Sequence, residues 1–354
     1  MRIGILVASV LCFGSLPMSA DDSISPAAAA YLDAALKVMQ ENSFHKDKID
    51  WPQIRRQTLS QAAGAQTPVD TYPAIRFALA KLGDHHSYLQ LTQELAREEA
   101  LRQPKLADPS AMPKPPARKQ TFPFPSPFRT RRVPEGAMVM TSPRPVAQVV
   151  VPSFASDDRK DQDGFAAKIQ DVIAGLSSRN PCGWIVDLRG NGGGNIWAML
   201  AGVGPILGEG EWGGKRYYEN GRAGVRDDPQ NPYYVKTSGT PVRLEGSPPA
   251  AVLIDRDTGS SAEGIAIAFR TRSDTRFFGE LTYGAATGTF PYNLSDGARI
   301  YLVVGAMVDR NGREYPDGIA PDEEILSEAT ISTNDPVLRA ASEWVSGQKA
   351  CRIP

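Results

Sequence analysis

The stretch Ala251–Phe269, AVLIDRDTGSSAEGIAIAF, constrains the fold of this chain more than any other. It reads as a β-strand over Ala251–Asp255, a tight turn carrying Thr258-Gly259-Ser260-Ser261, and a helix from about Ala262. A continuous apolar strand that gives way directly to a helix is the unit of a sheet covered on both faces. The same order occurs twice more. A buried strand ending at Val151 leads through Pro152-Ser153-Phe154 to a helix over roughly Asp161–Leu176, with Phe165, Ile169, Val172, Ile173 and Leu176 on one face. The strand Trp184–Leu188 leads through Arg189-Gly190-Asn191-Gly192-Gly193-Gly194 to a helix through Ala198–Leu200. Further strands are expected at Arg276–Gly279 and Arg299–Val304. The expectation is an α/β (α+β) fold, with a mixed-sheet core over residues 146–330 and sites at the carboxyl ends of its strands.

The remaining chain divides by composition. Residues 1–20 carry Arg2, an apolar run from Ile3 to Pro17, and Met18-Ser19-Ala20 before Asp21-Asp22, which is the pattern of a signal peptide and too short for a membrane span. Cys12 lacks the preceding small residue of a lipidated cysteine, so secretion or a periplasmic location is expected rather than lipid anchoring. Residues 27–100 read as a small helical domain, with helices over Ala27–Gln40, from near Trp51-Pro52, and over Tyr72–Leu82 before Gly83. Residues 101–145 are basic and so rich in proline that regular helix or a central strand is excluded, and they read as a linker. Residues 331–354 form a C-terminal tail. After removal of the signal peptide Cys182 and Cys351 remain, and the sequence leaves open whether they pair or stay as two thiols. A net charge of −1, with 22 % charged residues, points away from nucleic-acid or membrane-surface partners.

Three features carry chemistry. The glycine loop Gly190–Gly194 follows an apolar strand, and such loops turn successive N–H groups into an anion site. Phosphate binding is disfavoured, because no Gly-Lys-Ser/Thr ending follows and the dinucleotide spacing fails. Ser260 stands at the strand-to-helix turn, where an Oγ is exposed and the helix dipole favours developing negative charge. The alternative is that Thr258 and Ser260 only cap the helix, with Glu263 completing a capping box. A serine nucleophile needs a base, and the chain has 3 histidines, His45, His85 and His86. His45 lies in a polar connection, whereas His85 and His86 follow a helix end beside Asp84 and Ser87. The adjacent pair lacks an HExxH or Cys/His cluster, so no metal and no cofactor is expected.

Together these stretches resemble the S41 family of serine peptidases, the tail-specific, C-terminal-processing and tricorn-core group. LGDHHSY (Leu82–Tyr88) is similar to the family's histidine motif, VVVPSF (Val149–Phe154) to the opening of its core, and IVDLRGNGGG (Ile185–Gly194) to its most recognisable signature. TGSSAE (Thr258–Glu263) is similar to the nucleophile motif, and GELTYGAATG (Gly279–Gly288) and DGIAPD (Asp317–Asp322) to two later stretches. The resemblance covers about residues 27–325, in order.

It implies Ser260 as nucleophile, with Ser261 a rival for that role, and an oxyanion hole from Ser261 N–H and either Gly192 or Gly193. Processing members use a lysine base where this chain has Ala285, so the resemblance is to the histidine-using branch, with His86 as base. Glu314 is the candidate to orient it, with Asp84 and Asp317 as alternatives. Many relatives carry a peptide-binding PDZ-like module between histidine motif and core, and the 101–145 segment is too short for one. The expected activity is hydrolysis of peptide bonds in a protein or peptide substrate. The alternative is a catalytically inactive binding module on the same fold, for apolar ligands or peptides.

Overall fold

The computed structural model describes residues 23–84, 86–102, 127–139, 144–156, 158–208, 213–219, 222–225, 243–327 and 334–352. The expected signal peptide, His85 and most of the proline-rich segment lie outside them.

The amino-terminal part begins with α1 (Pro26–Asn42), which Ser25 caps by accepting the Ala28 N–H. Then come α2 (Trp51–Gln61) and α3 (Tyr72–Ala80), both with proline in the first turn. Gly83, at φ 78°, turns the chain out of α3 in the left-handed conformation that glycine adopts without cost. A short strand β1 (Tyr88–Gln90) and helix α4 (Gln93–Arg102) complete this region.

The core opens with β2 (Glu135–Val139), β3 (Val146–Val150), α5 (Arg159–Ser177), β4 (Trp184–Asp187) and α6 (Ile196–Leu207). Among the described residues, the expected linker therefore contains a strand. Placed after Pro134, β2 pairs antiparallel with β3 at the border of the sheet, where proline-flanked strands are tolerated. Next are β5 (Gly213–Glu219), β6 (Arg222–Val225), β7 (Ala250–Ile254), α7 (Ser261–Arg270) and β8 (Thr275–Gly279). The chain continues through β9 (Thr287–Asn293), β10 (Arg299–Asp309), β11 (Glu323–Glu324), α8 (Pro336–Ser346) and α9 (Lys349–Arg352).

Two sheets result. The first has the order β11-β8-β7-β4-β3-β2, parallel except for β2. Every residue of β3, β4 and β7 is buried, as a sheet covered on both faces requires. One face packs Ile169, Ile173, Met199, Val203, Ile265 and Phe269 of α5, α6 and α7 against Val149, Val186 and Val252. On the other face lie Val337, Ala341 and Val345 of α8, against Ile185, Ala251 and Leu253. The carboxyl-terminal segment is thus a packed layer, and each buried valine contributes about 1.5–3 kcal/mol of burial. A Cys182–Cys351 disulfide ties its end to the start of β4. The second sheet has the order β1-β10-β5-β6, with β9 also paired to β10.

The helical region shares its core with this second sheet: Ile300 and Leu302 of β10 pack with Leu32, Tyr72 and Ile75. Asp296, in the β9–β10 turn, accepts hydrogen bonds from Tyr31 and Tyr72 at 2.8 and 2.6 Å. The histidine loop that follows α3 is therefore held to the β9–β10 hairpin.

Candidate active site

Ser260 is the N-cap of α7, with φ 52° and ψ −120°. Positive φ costs a residue bearing a Cβ about 1–3 kcal/mol, and persists only where neighbours over-determine the turn. Here they do. The buried Asp255 carboxylate accepts the N–H groups of Asp257 and Thr258 at 3.1 and 3.0 Å. It also accepts the Gly190 N–H at 3.0 Å, joining the serine turn to the glycine loop. Thr258 Oγ1 donates to Leu188 O at 3.0 Å, and Gly259 N–H to Asn191 O at 2.9 Å.

The loop itself fits only without side chains at two points. A Cβ on Gly193, at φ 100°, would sit 2.8 Å from Gly259 O, Ser260 Cβ and Ser261 N. One on Gly194 would sit 1.9 Å from Phe154 O. Gly193 therefore packs directly against the serine. Gly193 N–H donates to Asn191 Oδ1 at 2.9 Å, and Gly192 N–H to Ser153 Oγ at 2.8 Å. Binding an oxyanion at either amide exchanges one of these side-chain acceptors for the substrate oxygen.

Ser261 is differently placed. Its Oγ donates to Gly194 O at 2.6 Å, so its hydroxyl serves the loop. Glu263, fully buried one turn into α7, accepts from Ser260 N–H at 2.9 Å, Thr282 Oγ1 at 2.6 Å, and the Gly284 and Ala285 N–H groups, both at 2.8 Å. Burial pushes its carboxyl up, against the pull of these four donors. The capping-box geometry expected from the sequence is present, and the same carboxylate also pins the 282–285 segment beneath the serine.

Two residues beyond Ala285, Thr287 Oγ1 lies 2.8 Å from His86 Nδ1. Two residues of chain span at most about 7 Å, so the segment that Glu263 anchors to Ser260 also carries the contact to His86. In the tautomer protonated at Nδ1, Thr287 accepts that N–H and Nε2 is left basic. Asp84 does not take this part: its carboxylate accepts the backbone N–H groups of His86 and Ser87 at 3.0 and 2.6 Å, shaping the loop. Ser87 Oγ donates to Asp84 and accepts Val303 N–H, fixing the loop to β10. Glu314 lies past β10, its backbone bridged to Val308, and Asp317 is exposed near Gly284. The hydroxyl of Thr287 thus stands at Nδ1 of His86.

Arg189 makes two side-chain hydrogen bonds to Asp187 and an ion pair with Asp335 at 2.7 Å, and stacks on Phe128. Burial would push the Asp187 carboxyl up, but Arg189 and Arg131 more than offset it and hold it well below the usual carboxylate range. Among the described residues there is no group of three or more His, Cys, Asp or Glu arranged to hold a metal ion, and no helix long and apolar enough to cross a membrane.

Thr287 and Asp255 are the site residues that the sequence reading did not single out. Asp255 was detectable in principle, because it directly follows the apolar run of β7 and opens the turn to Ser260, where an aspartate takes up turn N–H groups. Thr287 lies within the GELTYGAATG stretch, with no local signal for its contact to a histidine 201 positions earlier.

Comparison with known proteins places this geometry. A nisin-resistance protein from Lactococcus lactis subsp. lactis is 24 % identical over 331 residues, covering 92 % of this chain and 89 % of the relative. The structure of a lipoprotein from Streptococcus agalactiae superposes with a TM-score of 0.64 at 20 % identity, over 91 % of this chain and 97 % of that one. The photosystem II D1 C-terminal processing protease superposes with a TM-score of 0.55 at 17 % identity, over 94 % and 100 % of the two chains. Both structural likenesses are likenesses of fold. The sequence model of peptidase family S41 matches residues 145–325, from β3 through β11 and including the glycine loop and serine turn. The chain belongs to peptidase family S41.

Proposed function

We propose that this S41 family member is an active serine peptidase, with Ser260 as nucleophile and His86 as base. The observation that carries the reading is the strained Ser260, at φ 52° on the N-terminus of α7 and in contact with Gly193. Strain at a non-glycine residue is retained where it serves a site, and capping alone is met by serine in an ordinary extended conformation. The bond from Ser261 Oγ to Gly194 O supports Ser260 as the nucleophile of the pair.

In the mechanism, His86 Nε2 takes the Ser260 Oγ proton as Oγ attacks the peptide carbonyl carbon. Ser261 N–H and the Gly193 or Gly192 N–H receive the oxyanion, each such donor being worth about a hundredfold or more in rate. Collapse expels the amine, which takes its proton from His86. Water then attacks the ester, with His86 again as base. Thr287 Oγ1, at Nδ1 of His86, orients the ring. No metal or cofactor has a step in this scheme. Residues 1–20 support export, to the periplasm or beyond, where the disulfide is stable.

The test is hydrolysis of a peptide panel by the mature chain, beside Ser260→Ala and His86→Ala. The nisin-resistance relative puts nisin in that panel. Cleavage lost in both variants supports the reading. A second reading, an inactive binding module, is favoured by one observation: both candidate loop amides are engaged by protein side chains. Tight peptide binding without cleavage, unaltered in Ser260→Ala, would establish it.

A further inference from the structure

Tyr283 is 42 % exposed, on a segment whose other residues are mostly covered. Thr282 and Ala285 on either side are buried, their positions set by Glu263, and Thr282 N–H also donates to Ile319 O at 3.2 Å. These anchors leave the intervening side chain directed outward. Tyr283 N–H donates to Thr258 O at 2.8 Å, which fixes the residue to the nucleophile turn itself. Its ring leans over Gly259: a Cβ placed there would lie 3.0 Å from Tyr283 Cβ, 3.4 Å from Cγ and 3.8 Å from Cδ1. An aromatic ring held by a rigid backbone at the residue preceding Ser260, and still open to solvent, has the form of a binding surface rather than of core packing.

Resting on the peptidase reading above, we infer that Tyr283 is a specificity-determining residue, forming the wall that receives a bulky apolar or aromatic side chain of the substrate next to the scissile bond. The ring offers an apolar face at low conformational cost, since its backbone is already fixed. The absence of a side chain at Gly259 is part of the same surface, because a methyl group there would push the ring off its seat.

The experiment compares kcat and KM on matched peptides that differ only in carrying Phe, Leu or Ala at the positions flanking the cleaved bond. Wild type, Tyr283→Phe and Tyr283→Ala are run together, and a fluorophosphonate probe reports the reactivity of Ser260 in the wild type independently of side-chain recognition. Wild type is expected to prefer Phe or Leu over Ala. In Tyr283→Ala that preference falls about tenfold, the worth of an apolar pocket contact, mainly through KM. Tyr283→Phe, which keeps the ring, retains it. A wild type that labels and cleaves without such a preference, or a Tyr283→Ala variant that keeps it, overturns the inference and leaves the peptidase reading standing. A wild type that neither labels nor cleaves overturns both. An equal loss on every peptide, with kcat falling and KM constant, assigns Tyr283 a structural part and also overturns the inference.

Discussion

Replacing Gly193 by alanine is the most informative single change at this site, because Gly192 beside it provides a matched control. At Gly193 the backbone has φ 100°, and the new methyl carbon would meet Gly259 O, Ser260 Cβ and Ser261 N, each at 2.8 Å. Comfortable carbon contacts lie near 3.5–4.0 Å, and two of the three atoms are backbone, so relief requires the loop to draw back from the serine by most of an ångström. The unfavourable φ costs about 1–3 kcal/mol and overpacking about 1–3 kcal/mol, a loss that a domain stable by about 5–15 kcal/mol can survive. Misplacing catalytic groups by about 1 Å costs on the order of a hundredfold in rate. Gly192 differs: its nearest neighbour to an added Cβ is Ser153 Oγ, 3.9 Å away. Gly193→Ala should therefore lose about 2–6 kcal/mol in denaturant titration and about a hundredfold in kcat/KM. Gly192→Ala should stay within about 1 kcal/mol and tenfold of wild type. Equal effects of the two substitutions would refute the placement of Gly193 against Ser260.

Other consequences are open to direct measurement. Thr287→Val removes the partner of His86 Nδ1 at constant shape and should lower kcat/KM about tenfold, the worth of one hydrogen bond; Thr287→Ser should restore most of it, and an unaffected valine variant would exclude Thr287 as the orienting group. Asp187 titrates lower in the folded chain than in the unfolded one, so its stabilisation is present above the ordinary carboxylate range and is lost as pH falls through it. The Tm advantage of wild type over Asp187→Asn should then narrow between about pH 5 and pH 2, whereas a constant difference would contradict the ion-pair account. Reduction of Cys182–Cys351, which closes a sequence separation of 169 residues, should lower stability by about 2–5 kcal/mol. A double Cys→Ser variant should match the reduced protein, and an unchanged denaturation midpoint would show the carboxyl-terminal layer to be held by α8 alone.

Much of the core was legible because its signals are local. The apolar runs at Val146, Trp184 and Ala251 are the buried parallel strands, and the two special turns fall where strand gives way to helix. Ser260, Gly193 and Ser261 come together because β4 and β7 are adjacent, a pairing that the repeated strand–turn–helix order did not specify. What was not legible depends on distant contacts. Thr287 looks like any strand threonine until the β9–β10 hairpin is docked on α1 and α3 through Asp296, Tyr31 and Tyr72. Residues 331–354 looked like a tail because the fully buried stripe of α8, Val337, Ala341 and Val345, is too short to announce a buried layer. Arg189 looked like a loop cation and is instead buried between Asp187, Asp335 and Phe128, partners from three separated stretches of the chain.

The central claim is that Ser260 is an activated nucleophile with His86 as its base. The most direct measurement is reaction of the folded protein with a fluorophosphonate probe, with the adduct mapped by mass spectrometry. The account predicts an adduct on Ser260, none in Ser260→Ala, and labelling slowed about a hundredfold or more in His86→Ala. An adduct on Ser261, or none in a sample whose fold is demonstrated, would contradict it.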